Sequence, residues 1–271
     1  MQKTAIVTGG NAGLGFETAK RLVSAGFNVL IACRNLEKGT HAQKLLQEIS
    51  PTSEILLTQL NLEDLGSIEK FASEISFKWD LLINNAGAKI ERPMKLTKQG
   101  FEWHVGVNHL GHFALTGLLL KKAKAGASVV TVSSIVARKG YLDFEMQHSF
   151  NERQAYANSK LMNVIFAQAL SKRFEQTDLK SIAAHPGFAR ANPYGNKFVR
   201  TAEYAFAQSA KLGAGSIWEA TKAENGEYIG PRFFELWGAA DKARIPEVEY
   251  SAIENFWKRS EELTGVSFSL M

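Results

Sequence analysis

Tyr156 and Lys160 are the pair whose residue types and spacing most directly suggest chemistry. They lie in the stretch Gln154–Phe174, where apolar residues recur at helical spacing. A separation of four therefore puts the phenol and the ammonium on one helix face. A phenol with an ordinary pKa of about 10 is a poor base at neutral pH. A nearby ammonium favours the phenolate, and bringing the phenol down by about 3 pH units takes roughly 4 kcal/mol of differential stabilisation, within reach of a partly desolvated pair. Such a tyrosine can give a proton to a carbonyl oxygen or take one from an alcohol.

A second constellation lies at the start of the chain, Thr8-Gly9-Gly10-Asn11-Ala12-Gly13-Leu14-Gly15, between the first strand and the first helix. Gly9, Gly13 and Gly15 let the backbone turn sharply, approach a pyrophosphate and pack the helix close to the sheet, with Asn11 and Leu14 in the same turn. The helix N-terminus then offers free N–H groups to the anion. The cofactor is decided at the end of the second strand. A carboxylate there would bind a ribose 2′-hydroxyl, but the strand ends Ala32-Cys33-Arg34-Asn35. Arg34 lies nineteen residues after Gly15, near the ribose-reading position, and can clamp a 2′-phosphate with paired donors. NADP(H) is expected over NAD(H).

The elements that must position these groups alternate. Ala5–Val7, Asn28–Cys33, Glu54–Leu60, Asp80–Ile83, Ser128–Val132 and Ser181–Ala184 read as strands, nearly all apolar as parallel strands buried on both faces are. Phe16–Ala25, Leu36–Ile49, Leu65–Ile75, Phe101–Lys122 and Gln154–Phe174 read as the helices between them. This is the pattern of an α/β fold, a single Rossmann-type doubly wound parallel sheet flanked by helices. A closed barrel would need eight such units. From Asn192 onward the pattern is less regular, with one late strand at Gly226–Gly230 and a helix from near Glu247. The chain of 271 residues is expected to form one domain, 1–271, with the substrate-pocket segment at about 188–245.

A net charge of +5 comes from basic residues spread along the whole chain, which argues against a nucleic-acid partner and suits a phosphate-rich dinucleotide. Cys33 is the only cysteine, so an intrachain disulfide is excluded. The first strand begins within a few residues of Met1, and no apolar run reaches the length of a membrane helix. We therefore expect no signal peptide, no membrane span and a cytoplasmic setting.

Thr8-Gly-x-x-x-Gly-x-Gly15, Asn84-Asn85-Ala86-Gly87 and Tyr156-Ala-Asn-Ser-Lys160, in that order at strand and helix ends, resemble the short-chain dehydrogenase/reductase family over essentially the whole chain. Ala155–Asn163, Ala32-Cys33-Arg34-Asn35 and Ser260-Glu-Glu-Leu-Thr-Gly265-Val266 look like its retinol-dehydrogenase-like branch. The resemblance implies hydride transfer between NADP(H) and a carbonyl or alcohol, with Tyr156 as general acid/base helped by Lys160 and the positive nicotinamide ring. It implies that Ser134 stabilises the substrate oxygen and that Asn108 holds a kink and a water relaying protons to Lys160. By the same resemblance Asn61 and Leu62 lie by the adenine, with Asn where the family has Asp. Asn85, Ala86 and Gly87 line the cofactor, and Pro186-Gly187 turns beside the nicotinamide. Where the family often has threonine a few residues later, this chain has Ala189-Arg190-Ala191.

Phe188, Tyr194, Phe198 and Trp237 follow the Pro-Gly turn, which implies a mainly apolar pocket for a lipophilic substrate; retinoid-like, steroid-like and small aromatic carbonyls all suit it. Family members often pair as homo-oligomers through the helices at Phe101–Lys122 and Gln154–Phe174. His104, His109 and His112 share one helix but lack a His-Glu-x-x-His pattern, so no metal is expected. A light-driven protochlorophyllide reductase is disfavoured because Cys33 is on the cofactor side. An isomerase or dehydratase of the extended branch prefers a different glycine spacing. The rival from another class is a catalytically silent NADP-binding sensor or protein-interaction module, for which the fold would suffice but which has no need of Tyr156 and Lys160 together.

Overall fold

Short β-branched and leucine-rich runs buried on both faces build the centre of the protein. The structure, a computed structural model, describes residues 2–87, 94–145, 150–189 and 207–269. The first half alternates β1 (Thr4–Thr8), α1 (Gly13–Ser24), β2 (Asn28–Cys33), α2 (Leu36–Ile49), β3 (Ile55–Gln59), α3 (Leu65–Glu74) and β4 (Trp79–Asn84). A composite helix α4 follows, with one turn at Trp103–Val105, a π-helical turn at Gly106–Leu110 and a regular segment at Gly111–Leu119. Then come β5 (Ala123–Val132), α5 (Glu152–Arg173), β6 (Lys180–Ala184), α6 (Ala210–Ala220), β7 (Tyr228–Phe233), β8 (Trp237–Lys242) and α7 (Tyr250–Thr264).

The strands form one sheet in the order β3-β2-β1-β4-β5-β6-β7-β8, parallel except for the β7–β8 hairpin. The order reverses between β1 and β4, and at that switch point the C-terminal ends of neighbouring strands diverge and leave a crevice for a ligand. α1, α2 and α6 cover one face over a core that includes Val7, Leu22, Ile31 and Ile217. The other face packs under α3, α4, α5 and α7, with Phe71, Phe113, Phe166 and Trp257 among its buried residues.

Except that β5 begins at Ala123, five residues before the expected Ser128, the early strands and helices lie close to where periodicity places them. α6 and β8 do not. β8 is the exposed antiparallel edge of the sheet, with no buried residue to mark it. The late strand and the last helix begin two or three residues further on than expected. Phe101–Lys122 is interrupted by the π turn, which an apolar count cannot show.

α7 and the residues after it cover part of the outer surface of α4 and α5, the helices implied as an interface between copies. Phe113 meets Trp257 at 5.0 Å and Phe268 at 4.8 Å between ring centres, and Phe166 stacks on Trp257 at 6.0 Å. Arg173 lies over the Trp257 ring and donates to Glu254 at 3.0 Å. His109, fully buried, contacts Phe256 and Phe113 and pairs through Nε2 with Ser260 Oγ at 2.9 Å.

Burial holds the His109 imidazole down at about 3 and that of His112 at about 4, both well under the ordinary 6.5. As pH falls, the unfolded chain takes up these protons before the folded one does. Stability is therefore full above about pH 6.5 and is lost towards pH 4, by up to about 1.4 kcal/mol per pH unit for each histidine. His109→Gln is expected to lower stability at pH 7 through lost packing and to flatten the fall between pH 6.5 and 4.5. Denaturant melts at half-unit steps check it, and an unchanged slope would be the contrary result.

Candidate functional site

Four strand ends, those of β1, β4, β5 and β6, carry the motif residues to one edge of the sheet. At β1 the chain turns through Gly9 and Gly13, both in the left-handed region at φ +65° and +55°, into α1. α2, α3 and α5 begin with side-chain caps from Asn35, Asp64 and Asn151, whereas α1 begins at Ala12 without one. Its first N–H groups are thus left for an anion. A Cβ on Gly15 would lie 2.3 Å from Gly9 O and 2.4 Å from Asn85 Nδ2. This bare cradle fits a dinucleotide pyrophosphate.

Thr8 binds the first turn to the second. Its Oγ1 accepts from Asn85 N and Ala86 N, both at 2.9 Å, while Asn85 Nδ2 donates to Thr8 O at 2.7 Å. His112 Nδ1 lies 3.0 Å from Asn108 O, and a carbonyl can only accept, so Nδ1 carries the proton. Nε2 is then an acceptor for the Thr8 hydroxyl at 2.9 Å. Thr8 opens the glycine motif and His112 stands in the histidine cluster, but nothing in the sequence marks their contact across 104 residues. The three histidines of α4 have separate tasks: His112 here, His109 at Ser260, and His104 with Nδ1 2.7 Å from the buried Glu102 carboxylate. The His104 ring stands edge-on to Tyr156 at 6.2 Å.

Asn108 sits in the middle of the π turn, which packs against α5, and its Nδ2 donates to Ser159 Oγ at 2.9 Å. A Cβ on Gly87 would meet Asn108 Oδ1 at 3.3 Å and Lys160 Nζ at 3.5 Å, so both groups border the same small space beside the second turn. Lys160 is buried and donates to Val132 O at 3.1 Å, which Asn163 Nδ2 also reaches at 2.9 Å. Burial alone brings the amine down to about 8. Its Nζ is 5.9 Å from the centre of the Tyr156 ring. Burial pushes the Tyr156 phenol up, and a hydrogen bond with Ser134 draws it partly back. Ser134, not Lys160, is the group that lowers the phenol, and the Lys160 amine donates to the Val132 carbonyl.

Ser133, the buried neighbour of Ser134, donates to Lys160 O at 2.6 Å. Pro186 and Gly187 follow β6, and Gln208 Nε2 holds the Pro186 carbonyl at 2.5 Å. An isolated bridge joins Ala189 to Gln208. Gln208 went unnoticed in the sequence, being one amide in an irregular stretch. Phe188 is half-buried at this corner, and Trp237 opens β8 beside it. Arg190, Ala191, Tyr194 and Phe198 lie outside the described residues.

At the far end, Arg34 is ion-paired with Glu63, and Lys95 reaches the other oxygen of that carboxylate at 3.1 Å. Burial would raise the Glu63 carboxyl, but Lys95 and Arg34 hold it below the usual carboxylate range. Asn61 Oδ1 accepts from Glu63 N at 3.2 Å, and Leu62 is buried against α4.

The short chain dehydrogenase family profile matches residues 3–198, and the chain belongs to that family. Retinol dehydrogenase 12 of Homo sapiens is 35% identical over 97% of this chain and 87% of its own length. This places the chain in the retinol-dehydrogenase-like branch. A crystal structure of an uncharacterized protein from Mycobacterium paratuberculosis superposes with a TM-score of 0.85 at 33% identity, covering 99% of this chain and 96% of that one. A short chain dehydrogenase from Burkholderia cenocepacia, solved in complex with NADP, shares the fold with a TM-score of 0.68 at 20% identity, over 83% and 94% of the two chains. The chain is an oxidoreductase of a family that binds a nicotinamide cofactor.

Gly15→Ala is expected to weaken dinucleotide binding by at least about tenfold, because the methyl must displace Gly9 O or Asn85. Gly215→Ala, on α6 with open space around it, is the control and leaves binding unchanged. Fluorescence titration of both variants measures the difference; equal affinities would refute the cradle.

Proposed function

We propose that this protein is an NADP(H)-dependent reductase of lipophilic aldehydes or ketones, reversible toward the alcohol, with Tyr156 as the proton donor. The observation that carries the reading is the Tyr156 phenol, hydrogen-bonded to Ser134, with buried Lys160 and Asn108 Oδ1 beside Gly87 on the same side of the sheet. The nicotinamide supplies or takes up the hydride. Ser134 and Tyr156 together hold the substrate oxygen. Tyr156 passes its proton to that oxygen as negative charge develops, and Ser134 stabilises the charge by hydrogen bonding. Lys160, with an amine at about 8, is close to gaining or losing a proton at neutral pH. It restores the phenol through the polar space it shares with Asn108.

Arg34 supports the 2′-phosphate over a free 2′-hydroxyl, since no carboxylate ends β2 and the guanidinium is exposed at the strand end. Arg34 would hold the 2′-phosphate by exchanging Glu63 for it, and Glu63 would keep Lys95. Apolar Phe188 at the nicotinamide-side corner supports a lipophilic substrate. Among the described residues, no helix is long and apolar enough to cross a membrane.

The test is NADPH consumption, followed by absorbance, against a panel of lipophilic aldehydes and ketones. Tyr156→Phe is expected to lower kcat by about 100-fold to 10,000-fold while NADPH still binds. Tight NADPH binding with no turnover on any carbonyl would favour the silent sensor. A separate titration tests the exchange at Arg34. Glu63→Gln removes a competitor worth about 0.5–1 kcal/mol for a pair whose guanidinium is exposed, so NADPH should bind about 2- to 5-fold tighter while NADH does not change. Weaker NADPH binding would show that Glu63 orients Arg34 for the phosphate.

A further inference from the structure

The turn joining β7 to β8, Phe233-Phe234-Glu235-Leu236, is closed by Leu236 N donating to Phe233 O at 2.9 Å. Its two central residues, Phe234 and Glu235, have φ of +49° and +56°, the left-handed region usually given to glycine or asparagine. Neither a phenylalanine nor a glutamate is chosen for such a turn on conformational grounds, and each costs about 1–2 kcal/mol there. Phe234 is 85% exposed and recovers nothing by packing. Glu235 is turned inward, and its contacts account for the strain.

One carboxylate oxygen is ion-paired with Arg138 and accepts from Arg244 N at 3.2 Å. The other lies 3.2 Å from Nε2 of the fully buried His185, a charge–dipole contact without the alignment of a hydrogen bond. Each partner belongs to a different wall of the site. Arg138 is in the short helical turn Ile135–Lys139, capped by Ser134. Arg244 begins the stretch after β8. His185 precedes Pro186-Gly187, and its Nδ1 accepts from Gly187 N at 3.2 Å. The same turn reaches the nicotinamide-side corner a second time. Leu236 O accepts from Phe188 N at 3.0 Å, and a Cβ on Gly187 would meet that oxygen at 2.5 Å. The His185 ring rests on Gly230 and, at 5.1 Å, on Tyr228, which is hydrogen-bonded to Ser133.

We propose that Glu235 is a positioning residue, a clasp that fixes the turn bearing Ser134 and the His185-Pro186-Gly187 turn against each other so that the nicotinamide end of the cofactor meets a preformed wall. It rests on the NADP(H) reading for the identity of the ligand and on geometry alone for the clasp. It touches neither substrate nor reacting atoms. Its influence is confined to one end of a long ligand, which sets it apart from a residue that merely stabilises the fold.

Two measurements on the full chain test it. In the ligand-free protein, Glu235→Ala should speed backbone hydrogen exchange in peptides covering 134–139 and 185–189 by about tenfold and leave β1 unchanged. In titrations, the same variant should bind NADPH about tenfold more weakly. It should bind 2′,5′-ADP, which lacks the nicotinamide half, within twofold of the parent. Glu235→Gln keeps an oxygen for Arg244 N and Arg138 and should recover NADPH binding to within about threefold. Thermal melts of each variant confirm that it folds. Unchanged exchange in both segments would overturn the clasp, as would NADPH and 2′,5′-ADP weakening alike. If the parent binds neither ligand while the exchange pattern appears as expected, the NADP(H) reading fails and the clasp stands.

Discussion

A single buried hydroxyl, that of Thr8, carries the constraint on which the site depends. Strands that end side by side leave their last peptide groups without ladder partners, and such groups cannot be buried unpaired without costing about 1–3 kcal/mol each. Thr8 accepts from the N–H groups of Asn85 and Ala86 and gives its own proton to His112. His112 in turn gives its Nδ1 proton to the Asn108 carbonyl in the π turn. The glycine turn after β1, the turn after β4 and the π turn of α4 are thus one hydrogen-bonded body. The depth of the dinucleotide crevice and the place of Asn108 beside Lys160 are set together. A valine in place of Thr8 would keep the shape and strand both N–H groups.

The two ends of the crevice are organised by the same device. An arginine on a strand-end turn is held by a carboxylate from a different segment, Arg34 by Glu63 and Arg138 by Glu235. The two carboxylates are covered about equally, and at the adenine end it is the Arg34 guanidinium that is exposed. At the nicotinamide end Glu235 also engages Arg244 N and lies against His185, so it ties separate segments together. The exposure of the arginine and the spread of the partners, not burial of the carboxylate, separate the two pairs. Between them, Lys160 is buried and Tyr156 half-buried, and burial displaces both toward their neutral forms.

Much of this could be read from residue order. Strands buried on both faces announce themselves as apolar runs, and Gly9, Gly13, Gly15, Tyr156 and Lys160 are legible because their chemistry depends on fixed local spacing. What could not be read depends on contacts distant in sequence. Thr8 and His112 are 104 residues apart, Arg138 and Glu235 are 97 apart, and Gln208 holds the carbonyl of Pro186 across a stretch without periodicity. β8 escaped notice because an exposed edge strand has no buried face to impose alternation. The irregularity at Asn108 was legible only through the family resemblance, because one extra residue per turn leaves the hydrophobic count of a helix unchanged. The environment of Lys160 was legible as a lysine beside a tyrosine, whereas the carbonyl of Val132 that engages it was not.

α7 and the residues up to Phe268 close one face of the sheet, and this bears on how the chain matures as it is synthesised. His109, Phe113 and Phe166 are translated well before the aromatic residues that cover them, with about 100 residues separating Phe166 from Phe268. At a synthesis rate of about 5–20 residues per second, that interval lasts about 5–20 s. During it a nascent chain with most of its strands already made displays a wide apolar face to its surroundings. Chaperone supply and the pace of translation over the final stretch therefore bear on yield alongside the stability of the finished fold.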